Sequence, residues 1–138
     1  MSARALVPAG SEAAVATLQA SPGIAVHGLV FLTGMTGSRP DGSMPEGLDA
    51  QVHSAFAKIA AVLGEAGLTL GAMVEMTSYH IGLRPQFERF QALRAAYVSP
   101  PYPAWTALEV AGLRRAGALF EIRVVAAHPE KDAEGNEA

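Results

Sequence analysis

Residues 119–128 read Leu-Phe-Glu-Ile-Arg-Val-Val-Ala-Ala-His. Successive side chains of an extended segment point to opposite faces, so Phe120, Ile122, Val124 and Ala126 share one face and Glu121, Arg123 and Val125 the other. Only the first set reads as core. The stretch Ala104-Trp-Thr-Ala-Leu-Glu-Val110 divides in the same way, with Thr106, Leu108 and Val110 together and Trp105, Ala107 and Glu109 opposite. Taken as neighbouring strands, the two segments give a sheet with unlike faces. One is apolar enough to receive helices. The other carries Trp105, Glu109, Glu121 and Arg123, too mixed for core and too aromatic for plain exposure, and a subunit interface satisfies it. The plainer readings are a cross-strand ion pair between Glu109 and Arg123 and a packing role for Trp105.

Upstream, the pattern alternates between strands and helices. Ala5-Leu6-Val7 predicts an edge strand followed by a loosely packed connection through residue 20. Ile24 to Leu32 reads as a hairpin folded at His27-Gly28, where glycine accepts positive φ. Thr36 to Gly47, without any period, is expected as a surface loop. From Leu48 onward, Val52, Phe56, Ile59 and Leu63 recur at intervals of three and four, the spacing of an amphipathic helix. Val74 to Ile81 predicts a strand, and Pro85 suits the first position of a second helix. Along that helix Phe87, Phe90, Leu93 and Tyr97 form one face, and Pro100-Pro101 ends it. The order hairpin, helix, strand, helix, strand, strand implies an α+β fold, a mixed sheet with both helices on one face. One domain over 1–138 is expected, with a disordered tail at 129–138.

Composition narrows the function classes. Half of the 138 residues are apolar, enough for a core of ordinary size. There is no cysteine, which removes disulfides and thiolate chemistry and suits a reducing compartment such as the cytoplasm. No stretch approaches the roughly 20 apolar residues that span a bilayer, so no membrane association is expected. A net charge of −3, with no basic run longer than Arg114-Arg115, disfavours nucleic acid as a partner. His27, His53, His80 and His128 show no metal-ligand spacing, so no metal is expected, and each reads as an ordinary hydrogen-bonded side chain. No glycine-rich phosphate loop occurs, so no cofactor is expected. Ser78 lacks a nucleophile-elbow context.

Three separated segments resemble a known family. Leu32-Thr33-Gly34-Met35, Tyr102-Pro103-Ala104-Trp105-Thr106-Ala107-Leu108-Glu109-Val110 and Phe120-Glu121-Ile122-Arg123-Val124-Val125-Ala126 look like signatures of the Rid family, the YjgF-type reactive-intermediate deaminases. The resemblance covers about Ile24 to His128, with the helices in the right places between the motifs. It implies a chorismate-mutase-like fold, a homotrimer whose sheets face a central barrel, and clefts between subunits where small reactive enamines or imines are hydrolysed to keto acids and ammonia. By the same resemblance Glu121 is the catalytic glutamate that orients water. Thr33, Gly34, Met35, Gln91, Trp105 and Thr106 fall at substrate-contact positions. The departures matter: Trp105 stands where the family has an arginine that grips the substrate carboxylate, Met35 replaces a glutamine, and a tyrosine before the hairpin has no counterpart near Ala20. An indole offers one N–H donor and an apolar wall, not a charged fork. Arg114, Arg115 or Arg84 are the candidates to compensate from loops. A module that binds small molecules or stabilises proteins without chemistry is the alternative. A ribonuclease or translation-inhibitor role, sometimes attached to the family, is opposed by the acidic balance.

Overall fold

The computed structural model describes residues 2–129, so the tail expected at 129–138 lies, but for Pro129, outside the described residues. Its strands are β1 (Arg4–Leu6), β2 (Gly23–Val26), β3 (Leu29–Leu32), β4 (Met73–His80), β5 (Ala104–Glu109) and β6 (Phe120–Ala127). The helices are α1 (Glu12–Leu18), α2 (Leu48–Gly64) and α3 (Leu83–Arg94). The strands form one mixed sheet in the order β1-β2-β3-β6-β4-β5. The β2–β3 turn holds His27 at φ 52° and Gly28 at φ 77°, two consecutive positive values that match the twist of a two-residue hairpin.

The α2 and α3 helices cover one face. Val52, Phe56, Ile59 and Leu63 of α2, Phe90 of α3, and Val30, Met76, Phe120, Ile122, Val124 and Ala126 of the sheet are all buried in one apolar cluster. Each large side chain so enclosed contributes about 1.5–3 kcal/mol relative to exposure. Close approach of α2 to the sheet depends on Gly23: a Cβ there would stand 2.6 Å from Val62 Cγ1.

Several expectations are corrected. The segment before residue 20 contains α1, favoured by its run of Glu, Ala and Leu, in place of a loose connection; none of its residues is buried, so no amphipathic period announced it. Pro85 is the third residue of α3 rather than the first, still within the turn whose N–H groups lack helical partners. The loop at 36–47 is not wholly superficial, because Thr36, Gly37, Ser38 and Pro45 are buried.

The largest correction concerns the last two strands. They are not neighbours, since β4 lies between them, antiparallel to β6 and parallel to β5. The segment β4-α3-β5 is a crossover unit, and parallel strands require such a connection. The registers Met76↔Trp105, Ser78↔Ala107 and His80↔Glu109 therefore put Trp105, Ala107 and Glu109 on the helix side, with the buried residues of β4. Thr106 and Leu108 share the open face with Thr77, Tyr79, Glu121 and Arg123. The Glu109–Arg123 pair consequently does not form. Glu109 Oε1 accepts the Leu83 N–H at 3.0 Å, and Arg123 Nη1 lies 3.6 Å from Glu75 Oε1.

Candidate active site

Glu121 is half-buried on the open face, opposite Tyr79 in the β4–β6 ladder. Its immediate neighbour is created by an irregularity in β3. Phe31 pairs with Val125, so an unbroken antiparallel register would set Gly34 opposite Ile122; instead Met35 occupies that place and exchanges two backbone hydrogen bonds of 2.8 Å with Ile122. One extra residue has entered at Thr33-Gly34, a β-bulge. The bulge presses the backbone of Gly34 against Glu121 so closely that any Cβ at position 34 would collide with the Glu121 carboxylate. A side chain at position 34 would therefore displace the carboxylate from this place, a constraint of contact and not of φ. Thr33 is exposed; its N–H donates to Pro22 O at 3.0 Å and its hydroxyl to Ser21 O at 2.7 Å, leaving the hydroxyl oxygen as a free acceptor. Met35 turns inward and packs against the core.

Beyond the bulge the chain lies flat on α2: a Cβ on Gly37 would come within 2.5 Å of Gln51 Cα. Thr36 Oγ1 donates to Ser38 Oγ at 3.2 Å, and Lys58 Nζ donates to the same Ser38 Oγ at 2.9 Å. Burial of the Lys58 ammonium, helped by repulsion from Arg115 and opposed by attraction to Glu121, pushes its pKa down to about 8. Lys58 thus joins the electrostatic neighbourhood of Glu121, a placement the sequence reading missed. Its signal was that Lys58 is the only lysine before Lys131, set in a helix of Ala and apolar residues. Both loop arginines are exposed, and Arg115 is the one whose charge reaches this cluster.

Trp105 lies elsewhere. Its ring stacks on Phe87 with centroids 5.2 Å apart and planes 9° from parallel, and the Arg94 guanidinium sits 4.0 Å above the ring centroid. The indole N–H donates to Ser78 Oγ at 2.8 Å, so the one donor assigned to a ligand is already used. Ser78 Oγ is 2.7 Å from His80 Nε2, and His80 Nδ1 is 2.5 Å from Gln86 Oε1. Because that oxygen can only accept, Nδ1 carries the proton and Nε2 accepts from the Ser78 hydroxyl, a directed chain running Trp105 to Ser78 to His80 to Gln86. Ser78 and His80 are fully buried, which makes this a scaffold rather than a nucleophile–base pair. Burial holds the His80 pKa below its ordinary value, with the Gln86 hydrogen bond working the other way.

The fold therefore brings together Thr33, Gly34 and Glu121, with Lys58 and Arg115 nearby. It separates them from Trp105, which faces the other side of the sheet beyond β4. Thr106 is exposed on the open face beside Thr77, and Gln91 is exposed on α3. Two surface grooves, one between Ser2, Arg4, Ala25 and His128 and one between Leu68, Thr69, Val74 and Tyr102, include none of these residues.

The family described as Endoribonuclease L-PSP matches residues 11–128. The RutC family protein YjgH of Escherichia coli K12 is 38% identical over 128 residues, covering 92% of this chain and 96% of that protein. A solved structure of protein YJGH superposes with a TM-score of 0.82 at 36% identity, covering 95% of this chain and 100% of the other. Rv2704 of Mycobacterium tuberculosis, a member of the YjgF/YER057c/UK114 family, gives 0.79 at 27% identity over 92% and 100% of the two chains. RidA of the Antarctic bacterium Psychrobacter sp. PAMC 21119 gives 0.74 at 29% identity over 79% and 88%.

Proposed function

Since this chain belongs to the Rid (YjgF, Endoribonuclease L-PSP) family, we propose that it hydrolyses a reactive imine, or the enamine in equilibrium with it, in clefts between the subunits of a homotrimer. The observation that carries this reading is the half-buried Glu121 carboxylate held against the Gly34 backbone by the bulge. In the proposed reaction Glu121 orients a water molecule and accepts its proton as the oxygen bonds to the imine carbon. The proton passes to nitrogen to give a carbinolamine, whose hydroxyl proton is then taken up by Glu121 and delivered to nitrogen as the C–N bond breaks, so that ammonia leaves behind a carbonyl product. Thr33 and Gly34 line the Glu121 end of the cleft, Met35 supports the bulge from the core side, Thr106 lies on the same open face as Glu121, and Gln91, Trp105 and Arg114 contribute from the wall of a neighbouring copy.

The opposed faces support a cleft built from two copies. A ligand touching both Glu121 and the Trp105 side cannot do so within one chain, because β4 and the thickness of the sheet intervene. The open face also exposes Leu29, Phe31 and Leu108, apolar area that association removes from water. The absence of cysteine suits the cytoplasm, where we place this chemistry. Among the described residues no helix is long and apolar enough to cross a membrane. The net charge of −3 opposes the RNA cleavage that the family description names.

Ammonia release from amino-acid-derived imines, generated in place by an amino-acid oxidase, tests the reading. Wild type is expected to exceed Glu121→Gln by on the order of 100-fold or more, the usual worth of a positioned acid–base group. Equal rates contradict it. A second reading, a ligand-binding module without chemistry, is favoured by the indole N–H of Trp105 being committed to Ser78. That module binds carbonyl compounds without turnover, and gains ammonia release only in Trp105→Arg.

A further inference from the structure

Arg94 ends α3 with only 7% of its surface exposed. Its one hydrogen bond among the described residues runs from Nε to Met76 Sδ at 3.2 Å, and no carboxylate of those residues lies within ion-pair distance of it. No buried side-chain nitrogen or oxygen among the described residues lacks a partner. The two terminal nitrogens, which make no hydrogen bond, must therefore touch solvent. The guanidinium is thus largely enclosed, with its central carbon 4.0 Å over the Trp105 ring centroid and its terminal nitrogens reached by solvent. A cation buried for structure alone is normally matched by an anion or a full set of acceptors. Burial pushes the Arg94 pKa downward without opposition, another sign that its charge is unmatched among the described residues. A planar fork with two parallel donors fits a carboxylate, and contact with an aromatic ring restrains the side chain in advance.

We propose that Arg94, held against Trp105, is the group by which this protein recognises the carboxylate of a small organic acid. The choice of ligand rests on the hydrolase reading, which makes 2-oxo acids the expected products, whereas the anion recognition itself rests on Arg94. The arrangement also gives Trp105 a positioning role: its N–H is anchored inward on Ser78, and its outer face orients the guanidinium. Such a group lies at the helix side of β5 and would meet Glu121 of a neighbouring copy, not its own.

The test is a titration of the intact protein with 2-oxobutyrate, using calorimetry for affinity and the emission of Trp105, the single tryptophan, as a local reporter. Wild type is expected to bind saturably with a change in emission, and the neutral 2-butanone to bind far more weakly. Arg94→Met should weaken 2-oxobutyrate by on the order of tenfold or more, while Arg94→Lys, a point charge without the fork, should fall between. Arg4→Met, at an exposed position of the edge strand β1, should match wild type. If the Met variant fails to fold, Arg94→Lys decides: unchanged affinity in a folded Lys variant overturns the proposal. Absence of 2-oxobutyrate binding by wild type, or equal binding of 2-butanone, also overturns it. Binding through Arg94 with no ammonia release sinks the hydrolase reading alone. Turnover with an unaltered KM in Arg94→Met sinks this inference alone.

Discussion

Gly34 and Gly37 are fixed by what touches them, and substitutions there separate site from fold. Gly37→Ala drives a Cβ into the backbone of α2 at Gln51, and thermal or urea unfolding should show a loss of about 1–3 kcal/mol or more. Gly34→Ala brings the new Cβ nearest to atoms of the Glu121 side chain, which can swing away. It should cost little stability but displace the carboxylate, so ammonia release falls while the melting temperature holds. Ser78→Ala removes the link between Trp105 and His80 and leaves the buried His80 Nε2 unpaired, a cost of about 1–3 kcal/mol, along with the part-buried Trp105 N–H. His80 also sets a pH dependence. Its native pKa is depressed, so below about 6.5, the ordinary value, the unfolded chain takes up a proton that the native state refuses. Stability should therefore be level above that pH and decline on acidification through it, and melting temperatures measured from pH 8 to 5 check the sign. At this scale Glu121 was legible because its neighbours alternate so plainly. Arg94 and Lys58 were not, because an arginine stacked on a tryptophan from another element, and a lysine bonded across a loop, leave no local pattern.

The element that decides the geometry is the crossover β4-α3-β5. Its components were legible one by one: the β-branched run at 74–81, the aromatic helical face from Phe87, and the two prolines after it. What alternation could not supply was the neighbour. The parity of Trp105 was read against β6, whereas its registers are with β4, and this single difference moved Trp105 and Glu109 to the helix side. Glu109 there caps α3, accepting the Leu83 N–H at the positive end of the helix. Glu109→Ala should destabilise the protein by about 0.5–2 kcal/mol, the usual range for a lost cap, visible as a lowered melting temperature with ligand affinity retained. The helix α1 was illegible for a different reason: it buries nothing, so only propensity marked it. The bulge at Thr33-Gly34 was visible as a motif but not as geometry, since a one-residue slip appears only when both strands are in register.

For the whole molecule, the open face of the sheet is the surface that asks for a partner. It carries Leu29, Phe31, Leu108 and the half-buried Glu121 together, and in the proposed trimer other copies of the chain cover it. Sedimentation should give about three times the 14.3 kDa of one chain. Phe31→Glu places a charge at the centre of that face without touching the core, and should yield a folded monomer. The most direct measurement is ammonia release by that monomer under conditions where wild type turns over. The expected result is a folded chain with no activity above background, because its Glu121 has lost the opposing wall of the cleft. A monomeric Phe31→Glu protein that releases ammonia as fast as wild type would contradict the two-copy cleft.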